Sequence, residues 1–184
     1  MRIAIIYATT EGQTLKLARR AAELCNEAGH EVELLDAVQV RATLVMDPYE
    51  AAILLSSVHI SHYQAAMSTF LNDYKDDLTE IPNAFVSVSL SAASTDDDDV
   101  EGLRQITDDF YKQTGFTPLY EHLAAGAFRF TRYDFFKRWA MKLIAQQKGI
   151  KADTSKDLEL TDWPAYDAFI KQFLAEIRSI SDAA

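Results

Sequence analysis

The feature that most restricts this chain is the junction near its N-terminus. A short apolar run, Ile3-Ala4-Ile5-Ile6, leads into Tyr7-Ala8-Thr9-Thr10-Glu11-Gly12-Gln13-Thr14, and helical apolar spacing opens at Leu15. A strand that ends in hydroxyl residues and a glycine, then turns straight into a helix, can cradle a phosphate. Backbone N–H groups of such a turn point inward, and the helix N-terminus is electropositive. Thr9, Thr10 and Thr14 add hydroxyl donors, and Gly12 allows a positive φ or a close approach of backbone to ligand. The turn holds no lysine or arginine. Neutral donors suit a phosphate monoester bound whole, not one being transferred. No Gly-Lys-Ser/Thr follows, so this is not a Walker loop, and the Gly-x-Gly-x-x-Gly dinucleotide fingerprint is absent. The same residues also fit an ordinary turn, with Thr10 as N-cap and Gln13 completing a capping box.

Downstream, strand and helix patterns alternate. Arg2 to Tyr7 is apolar on both faces, as a buried parallel strand is. Gln13 to Ala28 predicts an amphipathic helix stopped by Gly29. Strands follow at Glu31 to Asp36, suited to a sheet edge, at Ala51 to Val58, at Ala84 to Leu90 and at Pro118 to Ala125. Helices are predicted at Gln64 to Asp77, Val100 to Gln113 and Pro164 to Ile180, the last with Asp162 as N-cap and Pro164 in its first turn. This order means βαβ units, hence an α/β fold with a parallel sheet and helices on both faces. The length, 184 residues, fits one domain across 1–184 with a full core.

The net charge of −10 argues against nucleic acid as a partner. No apolar run reaches the roughly 20 residues that span a bilayer. One arginine followed by a strand-length apolar run is not a signal peptide. The single cysteine, Cys25, falls on the stripe of Leu17, Ala21, Leu24 and Ala28 and reads as a buried core thiol. These features lead us to expect a cytoplasmic protein. No metal is expected, since His59 and His62 have no further ligands clustered with them. His30 reads as solvated and His122 as structural. Asp96-Asp97-Asp98-Asp99 precedes a helix, where carboxylates favour the dipole and solubilise the loop; the spaced ligands of a calcium loop are missing.

Thr-x-Glu-Gly-Gln-Thr after an N-terminal strand resembles the phosphate loop of flavodoxins. Ser57-Val58-His59-Ile60-Ser61-His62-Tyr63 and the stretch from Gly126 to Trp163 narrow the likeness. Together they resemble the flavodoxin-like, quinone-dependent protoporphyrinogen oxidase family, across residues 1 to 178. The resemblance implies a five-stranded sheet of order 2-1-3-4-5 with FMN at its switch point. It assigns cofactor binding to Thr9, Thr10, Glu11, Gly12, Gln13 and Thr14. It places Ser57, Val58, His59 and Ile60, and Ser89, Leu90, Ser91 and Ala92, in two loops flanking the flavin ring. His59, His62 and Tyr63 are the candidates for chemistry: a histidine accepts a proton as hydride leaves the substrate, and Tyr63 stacks on the ring or orients the substrate. The bland alternative has His59 merely packing beside the flavin and His62 capping the next helix.

An insertion at about 126–162 separates the fifth strand from the last helix. From Gly126 to Lys151 there are seven basic residues and one acid, Asp134, so this segment carries +6 and the remainder −16. Phe135, Phe136 and Trp139 share one face of a helical pattern; Lys137, Arg138 and Lys142 lie toward the other, and Arg129 and Arg132 alternate with aromatics before it. A basic amphipathic helix of this kind suits a membrane interface. Packing on the domain itself or a homo-oligomer interface fits the pattern too. The resemblance implies protoporphyrinogen IX as substrate, menaquinone or ubiquinone as acceptor, and work at the inner face of the cytoplasmic membrane. Other readings are a flavodoxin-type electron carrier, a soluble NAD(P)H:quinone reductase and a non-enzymatic FMN-binding module.

Overall fold

A computed structural model describes residues 1–40, 44–128 and 158–183. The main sheet is built from β1 (Arg2–Ala8), β2 (Glu31–Asp36), β3 (Ala51–His59), β5 (Asn83–Ser89) and β6 (Tyr120–Ala125). These run parallel in the order β2-β1-β3-β5-β6. They are the five strands expected, in the expected order. A two-residue strand, β4 (His62–Tyr63), folds back antiparallel on the end of β3. Where the sequence suggests a plain loop from Ser57 to Tyr63, the chain continues β3 and closes a tight hairpin.

Alternate side chains along the strands enter opposite cores. Ile3 and Ile5 join Ile53, Leu55 and Val86 under α1 (Gln13–Glu27) and α4 (Trp163–Ala183). Ala4 and Ile6 join Leu54 and Phe85 under α2 (Ala65–Thr79) and α3 (Asp97–Thr114). This period-two split is why β1 and β3 read as unbroken apolar runs. Cys25 is fully buried in the first core, and burial pushes its thiol pKa up to about 12. A thiol held protonated is a poor nucleophile.

Helix ends follow local chemistry. Gly29 has φ 84°; the Gly29 and His30 amides donate to the Asn26 and Cys25 carbonyls, closing the C-terminus of α1. Asp162 Oδ1 accepts from the Ala165 amide at 3.0 Å, the N-cap expected for α4. Helix α3 starts earlier than its apolar spacing suggests, so Asp97, Asp98 and Asp99 form its first turn and Asp96 is its cap. His30 is a correction: it is half-buried, its Nδ1 lacks a partner among the described residues, and desolvation lowers its pKa.

Beyond β6, the chain turns at Gly126 into β7 (Ala127–Phe128), which pairs antiparallel with β8 (Leu158–Glu159). The two-stranded ribbon is the stem of the insertion. Arg129, Arg132, Phe135, Phe136, Lys137, Arg138, Trp139 and Lys142 lie outside the described residues.

Candidate functional site

The carboxyl ends of β1, β3 and β5 open into a cleft that is open to solvent. Thr9, Thr10, Glu11, Gln13 and Thr14 line one side. The hydroxyl of Thr9 accepts from the Gly12 amide at 3.0 Å, closing the turn. Gly12 sits at φ 89°, the left-handed region that a side chain disfavours. It is Gly12, not Thr10, that caps α1, and no side chain caps it. The capping box of Thr10 and Gln13 therefore does not form. The first backbone bond of the helix is from Lys16 N–H to the Gly12 carbonyl at 3.1 Å, which leaves the preceding amides without an intrahelical partner. Thr14 is 1% exposed, and its hydroxyl has no hydrogen-bond partner among the described residues. An orphaned buried hydroxyl beside unpaired amides at a helix N-terminus is a donor set waiting for an anion.

The turn is braced from outside. Gln13 is buried; its Nε2 donates to Thr161 Oγ1 at 2.9 Å, and that hydroxyl donates to the Ala125 carbonyl at 2.7 Å. Lys16 pairs with Glu159 at 3.1 Å. Lys16, the cation of the first turn of α1, is thus engaged with the insertion's stem.

Opposite the turn, Ser57, Val58 and His59 line the cleft from the end of β3, and Ser89 and Leu90 from the end of β5. Ser91 and Ala92 sit in a short 3-10 turn just beyond, where the Ala92 amide donates to Ser89 Oγ at 3.2 Å. Gln64 bridges two walls: Thr10 Oγ1 donates to its Oε1 and its Nε2 donates to Ser57 Oγ, each at 3.0 Å. Gln64, Val88, Gly126 and Ala127 line the cleft without having been expected. Gly126 follows a strand of the sheet, which is a readable signal; nothing local marks Gln64.

The three candidates for chemistry separate. His59 lines the cleft, and His62 is exposed on the neighbouring strand, so it does not cap α2. Tyr63 does not reach the site. It is 8% exposed, and its hydroxyl meets Ser87 Oγ at 2.8 Å and Thr107 Oγ1 at 3.0 Å. Its ring packs on Phe85 and Phe110. Because strand side chains alternate, a hairpin that turns His62 outward must turn Tyr63 into the core. Ile60 is likewise outside the lining, at the hairpin tip. His122 is packed on Phe169 with ring centroids 4.9 Å apart, a structural place.

The cleft thus combines an open helix N-terminus, hydroxyl donors and a small-residue wall at the strand-order switch point, features that suit a phosphate attached to a flat ring. The family described as "Flavodoxin domain" matches residues 4–155, and the chain belongs to it. A curated protein of Escherichia coli strain K12 named "Protoporphyrinogen IX dehydrogenase [quinone]" is 26% identical over 182 residues, covering 99% of this chain and 97% of that protein. A Leishmania major protein of the same name is 28% identical over 172 residues, covering 93% of this chain and 74% of its own length. Among solved structures, a Streptococcus flavodoxin superposes with TM-score 0.57 at 15% identity, over 97% of this chain and 99% of that one. A Fusobacterium nucleatum flavodoxin bound to flavin mononucleotide gives TM-score 0.52 at 14% identity, over 97% of each chain.

Proposed function

We propose that this chain oxidises protoporphyrinogen IX to protoporphyrin IX, with FMN as cofactor and a membrane quinone as acceptor. The observation that carries the reading is the reach of the likeness to the Escherichia coli dehydrogenase, which covers 99% of this chain and so takes in both the five-stranded core and the segment at about 126–162. FMN is the cofactor that the family and the cleft call for. Its phosphate would be held by the Gln13 and Thr14 amides and the hydroxyl of Thr14, and its ring would lie against the ends of β3 and β5. Bound FMN supplies two-electron chemistry, taking a hydride from carbon and giving the electrons to an acceptor.

The protein's own groups do the rest. An imidazole nitrogen of His59 takes the proton released at the substrate, and His62, exposed and paired with His59 across the hairpin, hands it to water. Arg129 and Arg132 pair with the two propionates, and the face of Phe135, Phe136 and Trp139 enters the inner leaflet of the cytoplasmic membrane with Lys137, Arg138 and Lys142 on its headgroups. Full oxidation removes six electrons and six protons per porphyrinogen, so three quinones leave as quinols.

The test is anaerobic mixing of the FMN-loaded protein with protoporphyrinogen IX, following flavin absorbance and porphyrin fluorescence with and without a menaquinone analogue. Flavin bleaching, with turnover only when quinone is added, is expected. A flavin that stays oxidised at full occupancy overturns the reading in favour of an electron carrier, whose docking on a basic partner the acidic body would suit.

A further inference from the structure

The β3–β4 hairpin is closed by two residues, Ile60 and Ser61, between the paired His59 and His62. Both have positive φ, 50° and 62°. This is the pattern of a type I′ turn, which ordinarily takes Asn-Gly or Asp-Gly. A β-branched residue there is a genuine outlier, because its Cβ crowds the backbone. Such strain persists only where surrounding structure holds it. Here Tyr63 holds it, locked into the core by Ser87 and Thr107. The strained side chain is not turned to account in packing: Ile60 is 73% exposed. Val58 and His59, at the hairpin's base, line the cofactor cleft. The tip therefore stands at the mouth of that cleft. From Ser57 to Gln64 there is no Asp, Glu, Lys or Arg, in a chain of net charge −10.

We propose that Ile60 is the apolar contact that seats a neutral, flat quinone at the mouth of the cleft. This rests on the quinone acceptor proposed above. An uncharged ring gains from an exposed aliphatic group, and the hairpin brings no Asp, Glu, Lys or Arg of its own against it. It takes a hydride equivalent (two electrons and one proton) from the reduced cofactor and a second proton from water, and leaves as quinol. A glycine would close this turn with less strain, so the isoleucine trades local stability for the contact.

The experiment uses the full chain loaded with FMN and photoreduced without oxygen, so no porphyrinogen is needed. Reoxidation is followed against menadione, and separately against ferricyanide, an anion with no apolar face. Wild type is compared with Ile60→Gly and Ile60→Leu. In the glycine variant the half-saturating menadione concentration should rise about tenfold, as when part of an aliphatic side chain's burial is lost. Its ferricyanide rate should change less than about twofold, and its thermal midpoint should rise. Leucine keeps the apolar contact without the β-branch and should restore menadione saturation. Unchanged menadione saturation in the glycine variant overturns the proposal, as does a parallel loss with both oxidants. If the glycine variant loses only its binding to phosphatidylglycerol vesicles, the tip touches lipid and the proposal also falls. Should the glycine variant fail to fold, Ile60→Asn against Ile60→Leu makes the same comparison. A wild type that reduces menadione through Ile60 but yields no porphyrin from porphyrinogen would sink the substrate reading alone.

Discussion

Two helices of this molecule begin at the same edge of the sheet, and their N-termini are built in opposite ways. Helix α3 satisfies its own: Asp96 Oδ1 accepts from the Asp98 amide at 3.2 Å, Asp97 to Asp99 fill the first turn, and Ser94 donates to Asp99 at 2.7 Å. Helix α1 has a glycine cap, no acidic residue in its first turn and a threonine hydroxyl without a partner among the described residues. The dipole physics is the same at both ends. At α3 the chain supplies the negative charge; at α1 the charge has to come from outside. The difference separates a self-satisfied helix start from one left open to an anion, at one edge of one sheet. It also accounts for the four aspartates without a ligand.

Giving α1 the chemistry of α3 should have the largest effect. Thr14→Asp puts a carboxylate where the phosphate belongs, and FMN affinity should fall at least about a hundredfold while riboflavin, which has no phosphate, loses far less. Fluorescence titration with the two flavins measures this; equal losses would mean that the turn is not the phosphate site. Thr14→Val removes only the donor. It should weaken FMN about tenfold, yet leave the melting temperature of the FMN-free protein unchanged or higher, because no group among the described residues is bonded to that hydroxyl.

Changes at α3 should do the reverse. Asp96→Ala should cost about 1 kcal/mol in denaturant unfolding with FMN affinity unchanged, as loss of a cap does. A change in FMN affinity there would blur the division between the two ends. The smallest effect lies away from both. Burial lowers the pKa of His122 in the folded chain. As pH falls below its unfolded value of about 6.5, the unfolded chain takes up a proton that the folded chain refuses, so stability declines until the lower folded pKa is reached. His122→Phe keeps the packing on Phe169 and should flatten that acid-side slope in a pH series of unfolding midpoints.

Much of this was legible in residue order. Apolar runs, helical stripes and the glycine and proline stops are local signals, and they define the five strands, their helices and the strand-to-helix turn at Gly12. Asp162 as a cap is another, because a cap is decided within three residues. The fate of Tyr63 was not local. Its neighbours in sequence suggest a site residue, but the hairpin's parity and the hydroxyls of Ser87 and Thr107, 24 and 44 residues away, put it in the core. Gln64 came to the cleft for the same reason, since its partners Thr10 and Ser57 belong to two other segments. Lys16 looks like a spare cation until Glu159 arrives from the far side of the insertion. What the sequence alone determined were features set by backbone geometry within a few residues, namely the parallel α/β order and an anion-ready turn. Only the tertiary structure decided which hydroxyls of that turn stay unpaired and which side chains the hairpin buries, because hydrogen-bond satisfaction depends on partners that the chain brings together from a distance.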